Sequence, residues 1–170
     1  MMHSLQDLYV DQLRDLYSAE NQLLVALPKM IGAANDTELQ EGLQAHYEET
    51  QEHVRRLQKI FSDLGETPGG ETCEAMEGLV REGERTINTP GEPNVKDAAL
   101  IAAAQRVEHY EIAGYGTVKR FAKMLDFDEA ASLLDKTLQE EGAADHKLTK
   151  IAEGRLFSVG VNKKAERMGR

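Results

Sequence analysis

Eight residues of this chain belong to metal-binding types and sit at helical spacing within otherwise apolar stripes: Glu20, His46, Glu49, His53, Glu108, Glu111, Glu141 and Asp145. Glu141 and Asp145 stand i,i+4 in the stripe of Leu133, Leu134, Leu138, Ala144, Leu148, Ile151 and Ala152, where an ordinary amphipathic helix carries leucine or alanine. Glu20 lies between Leu16 and Leu23 in a second stripe. His46 is inside a third, with Glu49 and His53 on its shoulder, and Glu108 and Glu111 stand i,i+3 in a fourth. A carboxylate taken out of water protonates, finds a cation or keeps contact with solvent. Carboxylate oxygens combined with imidazole nitrogens suit a pair of iron or manganese ions. Two such ions bring roughly four positive charges to offset the crowded acids.

Each residue alone has an ordinary explanation. A glutamate in an apolar stripe can snorkel to water, a core histidine can be hydrogen bonded, and Glu108 with Glu111 can belong to a solvated face. Acids at similar depth on four helices are harder to explain this way, and they favour ions.

The elements that must position these residues read as all-α. Four long helices are expected over about 4–33, 37–64, 95–125 and 127–152, within a single domain spanning 1–170. Ser4 is the expected N-cap of the first, and Pro28 is expected to bend it. Thr37 with Gln40 reads as a capping box for the second, and Gly65 as its C-cap. Asn94 is the expected cap of the third, and Asp126 with Glu129 that of the fourth. The connection 66–94, with a short helix around 73–85, is too long for an antiparallel hairpin and reads as a crossover along a four-helix bundle. Beyond 152 the chain reads as irregular with a short terminal turn, and no strand is expected.

Thirty acidic against twenty basic residues leave a formal charge of −10, which excludes an extended phosphate-binding face and so nucleic acid as a partner. The basic stretch 162–170 reads as a solvated end. No apolar run reaches the length of a membrane span and the N-terminus lacks a hydrophobic signal core, so a cytoplasmic protein is expected. The single cysteine, Cys73, excludes an intramolecular disulfide and a Cys-rich metal site, and reads as a structural thiol.

The segments LQDLYVDQLRDLYSAENQLLVALPKM, HYEETQEHVRRL, CEAMEGLVREG, VEHYEIAGYGT and LQEEGAADHKLTKIA, in this order, carry a family resemblance over nearly the whole chain. The chain resembles the YciF-like branch of the ferritin-like superfamily, bacterial stress-response proteins with a rubrerythrin-type four-helix bundle. The resemblance implies a bundle with one crossover, a centre of two metal ions (iron first, manganese second) and homo-oligomers, often dimers. By position, Glu20, Glu49, Glu108, Glu111 and Glu141 match the superfamily's carboxylate ligands. His46 and Asp145 are the matching terminal ligands, with His53 a rival to His46. The chain departs from the pattern in lacking Glu-x-x-His: the imidazoles stand three before and four after Glu49, and Asp145 replaces the imidazole on the fourth helix. It also lacks a four-cysteine rubredoxin module, so electrons would come from an external donor.

Three functions follow from this reading. The first is a two-metal centre that reduces peroxide or oxygen, or oxidises ferrous iron, with Tyr17, Tyr110 and Tyr115 as neighbouring donors. The second, from another class, is a metal-free or metal-stabilised helical scaffold that binds partners under stress. Iron storage is the third and requires a cage that nothing in the sequence encodes.

Overall fold

Ser4 opens the first helix, α1 (Leu5–Ala33): its hydroxyl accepts from the Asp7 amide while the Asp7 carboxylate accepts from the Ser4 amide. Pro28 lies inside α1, which runs on to Ala33. The computed structural model describes residues 3–155 and 158–168. The second helix, α2 (Thr37–Leu64), is capped by Asp36, whose carboxylate accepts from the amides of Glu38 and Leu39. The Thr37–Gln40 box is therefore not used. A carboxylate one residue earlier satisfies two amides and suits the positive helix end, and Gln40 donates to the Ala34 carbonyl instead. Gly65 ends α2 in the left-handed region at φ 69°, where glycine has no Cβ to clash.

The connection holds α3 (Glu74–Asn88), capped by the Cys73 sulfur. The next helix, α4 (Pro93–Met124), starts earlier than expected. Pro93 sits at its first position, Glu92 precedes it without a side-chain cap, and Asn94 is already helical. Asp126 does not cap α5 (Asp128–Glu153) but adopts a left-handed conformation at φ 61°. The Phe127 amide bonds back to the Ala122 carbonyl, and its ring packs on Tyr9 at 5.8 Å between centroids. A hydrophobic anchor thus sets this turn in place of a polar cap.

The tail also departs from the expected irregular end. Two-residue strands β1 (Gly154–Arg155) and β2 (Ser158–Val159) pair antiparallel, and α6 (Val161–Met168) follows, packed on α4 and α5. Lys164 reaches the Asp36 carboxylate at 2.7 Å, tying α6 to the start of α2. Leu156, Phe157, Gly169 and Arg170, part of the stretch read as irregular or as a solvated end, lie outside the described residues. A Cβ at Gly160 would stand 2.3 Å from backbone atoms of Glu153 and Gly154, so only glycine fits there. Gly160→Ala is expected to lift α6 from the bundle at a cost of about 1–3 kcal/mol. Thermal melting should show a fall of about 3–10 °C, with faster proteolysis in the tail; unchanged melting and cleavage would refute the close fit.

α1 and α5 each pack on both α2 and α4, closing a ring of four long helices, and the 66–94 crossover lays α3 against α1 and α4. This is the expected all-α four-helix bundle with one crossover and a short extra helix. Among the described residues no helix is long and apolar enough to cross a membrane. Among the described residues the interior holds two apolar clusters rather than one. Leu23, Leu27, Leu39, Leu43, Leu100 and Ile151 belong to the first, and Tyr9, Leu13, Leu57, Phe61, Val118 and Leu134 to the second. Along the long helices, the acids and imidazoles fall near the point where one cluster gives way to the other.

Candidate metal centre

Glu20 on α1 follows Leu16 and precedes Leu23, so the helix that buries both leucines buries the acid as well; it is fully inaccessible. On α2, His46 and His53 are seven residues apart, two turns along one face and about 10 Å of helix rise. Their rings lean together to 6.4 Å between centroids. Glu108 and Glu111 on α4 and Glu141 on α5 complete the layer, and all six side chains are buried.

Two groups form among the described residues: His46, Glu108, Glu111 and Glu141, and Glu20, His53 and Glu141. In each, the ligand atoms all lie within 4.8 Å of one another. Glu141 belongs to both. One of its oxygens is 2.9 Å from His53 Nδ1 and the other 3.9 Å from His46 Nε2. Glu108 approaches His46 Nε2 at 3.3 Å, and Glu20 approaches His53 Nδ1 at 3.3 Å. The resulting inventory, four carboxylates and two imidazoles, equals that of the di-iron bundles built from two glutamates and two Glu-x-x-His pairs. Here it is distributed differently, with both imidazoles on one helix.

Most atoms of this layer lack hydrogen-bond partners. Both oxygens of Glu111 and of Glu141, one oxygen each of Glu20 and Glu108, both ring nitrogens of His46 and His53 Nδ1 have none, short distances notwithstanding. Buried polar atoms are nearly always satisfied. Convergent carboxylates and imidazoles, most of whose inward atoms have no hydrogen bond, are what a cation would satisfy, and oxygen with imidazole nitrogen fits iron or manganese. Charge redistributes in the ion-free chain. Burial drives Glu108 and Glu111 well above the usual carboxylate range and raises Glu20. Burial also works against imidazolium, but Glu108 and other neighbours push His46 up to about 9, and Glu141 with Glu20 push His53 up to about 11. Glu141, buried too but facing both imidazoles, is drawn below its usual range.

Two sequence candidates lie outside this cluster. Glu49 has a side chain 44% exposed and stays 3.8 Å from His46 Nδ1. Asp145 accepts from Gln105 at 3.0 Å and faces the exposed His109 at 3.4 Å. His46 and His53, weighed as rivals, both enter, one in each group. Of the tyrosines, Tyr115 donates to Glu20. Tyr110 instead donates to Asp15 and lies 2.9 Å from the Cys73 sulfur, and Tyr17 accepts from Gln58. Cys73 is buried, which raises its thiol pKa. A cavity of about 90 Å³ opens between α2 and α5, lined by Gly42, Ala45, Glu49, Ala143, Ala144 and Lys147 among others, and reaches His46 and Glu108.

Residues 4–165 match the profile of a family described as a domain of unknown function, DUF892. The chain belongs to the DUF892 family. Protein YciF of Escherichia coli strain K12 is 43% identical over 166 residues, 97% of each chain. The crystal structure of that stress protein matches at a TM-score of 0.85, covering 88% of this chain and 94% of the other. YcfI of Rhodopseudomonas palustris, described as a candidate structural protein, matches at 44% identity and a TM-score of 0.85, covering 88% and 96%. A Xanthomonas campestris protein shares the fold at 18% identity and a TM-score of 0.73, covering 98% and 95%.

Sequence reasoning missed the residues behind His53. Glu140 lies 3.1 Å from His53 Nε2 and is gripped by both terminal nitrogens of Arg56, which also donates to Thr137. Nothing in the sequence singles out Glu140 from its neighbour Glu141. Only the α2–α5 register brings it to Arg56.

Proposed function

We propose that this DUF892 chain is a cytoplasmic bacterial stress protein with a two-ion carboxylate centre, iron first and manganese second, which reduces peroxide or oxygen or oxidises ferrous iron. The observation that carries this reading is the set of buried carboxylates and imidazoles, most of their inward atoms without a hydrogen bond, that converge from four helices at one level of the bundle. Glu20, His53 and Glu141 would hold one ion, and His46, Glu108, Glu111 and Glu141 the other. Bound there, redox-active ions would supply the electrons and Lewis acidity for acting on a small oxygen species. The chain's own residues do the rest. Glu141 places one oxygen toward each half, Tyr115 fixes Glu20 by donating to it, and the apolar clusters on either side exclude bulk water. The opening between α2 and α5 limits access to small species. Electrons would come from a separate donor, because this sequence, with one cysteine, carries no four-cysteine rubredoxin-type site. Self-association as a homodimer belongs to the same proposal and rests on the resemblance alone.

Elemental analysis of untagged protein, purified from cells grown with ample iron and manganese, tests the reading. About two ions per chain are expected, and a count near zero would overturn it. Uptake should also release protons, because the raised acids and imidazoles must give theirs up to coordinate. Titration of the ion-free chain in weak buffer should show on the order of two protons released per ion, and apparent affinity should rise with pH. The description of YcfI as a candidate structural protein favours a second reading, a scaffold without ions. That reading leaves the orphaned acids unexplained.

A further inference from the structure

We propose that the two halves of the cluster exchange their ions at different rates, with Glu140 and Arg56 as positioning residues that hold one half closed. This deepens the two-ion reading and rests on it. The two imidazoles have the same chemistry and unlike surroundings. His53 is pinned at both ends of its ring: Nδ1 points at Glu20 and Glu141, while Nε2 stands 3.1 Å from Glu140. Arg56 grips Glu140 at both oxygens, one of them at 3.0 Å, and Thr137 accepts from the same guanidinium at 2.9 Å. With an ion bound, a carboxylate behind the imidazole holds the one remaining proton on Nε2, so that Nδ1 would present its lone pair inward.

His46 has no such partner. Both of its ring nitrogens lack a hydrogen bond, and the nearest carboxylate behind it, Glu49, is 3.8 Å away and half in solvent. The cavity between α2 and α5 reaches this half only. Gly42, Ala45, Ala143 and Ala144 keep the helix seam thin, and His46 and Glu108 line its inner end, whereas Glu20, His53 and Glu140 do not. An ion beside His46 therefore has a short path to water and an imidazole with no hydrogen-bonded carboxylate behind it. An ion beside His53 has neither.

The test uses the full chain loaded with about two equivalents of cobalt(II) and challenged with EDTA in a stopped-flow spectrometer. Two release phases of similar amplitude are expected. Glu140→Ala should speed the slow phase about 10-fold and leave the fast phase unchanged. Glu140→Gln should recover part of the difference, because its amide oxygen still accepts the imidazole proton. Arg56→Lys, which gives up the two-point grip, should act in the same direction as Glu140→Ala and covers the case in which that variant fails to fold. A single release phase in the wild type would overturn the inference while leaving two bound ions in place. So would variants that alter the fast phase alone. A wild-type chain that takes up no cobalt removes the two-ion reading, and this inference with it.

Discussion

Glu141→Ala is expected to strip both ions from the protein, the largest single-residue effect the cluster allows. Its carboxylate is common to both groups, with one oxygen toward each imidazole. Removing it takes a ligand from each half at once. Ions bound only by the folded state stabilise it by about 4 kcal/mol each at a thousandfold excess over Kd. With two such ions the wild type should therefore melt roughly 15–30 °C above the variant in the same buffer. Glu49→Ala serves as the contrast: its side chain is nearly half exposed and outside both groups, so ion content should stay at about two. A Glu141→Ala protein with normal ion content would take Glu141 out of the centre.

Glu111→Leu should change stability in opposite directions with and without ions. Glu111 is fully buried, neither of its oxygens has a partner, and burial with three neighbouring carboxylates drives its pKa well up. In EDTA, replacing it by a hydrophobic residue of similar volume removes a desolvated polar group without breaking a hydrogen bond. That should stabilise the ion-free chain by about 1–4 kcal/mol. With iron or manganese present, the variant should lose part of its ion content and melt below the wild type. Paired urea titrations, with chelator and with metal, measure both signs. A scaffold without ions predicts the same difference in the two buffers, so identical shifts would favour that reading.

The long helices were legible because their apolar stripes are long and regular: the second was expected over 37–64 and runs Thr37–Leu64. Their caps were less so. Thr37, Asn94 and Asp126 each had local motifs in their favour and lost to other contacts. Asp36 satisfies two amides at once, Pro93 needs no side-chain cap, and Phe127 finds Tyr9 across the bundle. The cluster was legible as acids and imidazoles in apolar stripes, whereas its membership turned on small rotations. On an ideal helix, Glu49 is about 60° around from His46 and His53 only about 20°, so the two-turn spacing outranks the one-turn spacing. Asp145 is about 40° around from Glu141, enough for Gln105 and His109 to claim it outside the layer. Glu140 and Arg56 were not legible at all, because their pairing depends on how α2 and α5 slide past each other.

A greasy interior cut across its middle by a belt of acids yields differently from a continuous one. Each lobe would keep its own contacts if the belt opened, so losing bound ions would soften the bundle at its waist rather than unravel it from the ends. Metal starvation would then leave a chain that still looks folded by its helix content yet breathes around Glu20, Glu111 and Glu141. Such a molecule could be refilled without being rebuilt.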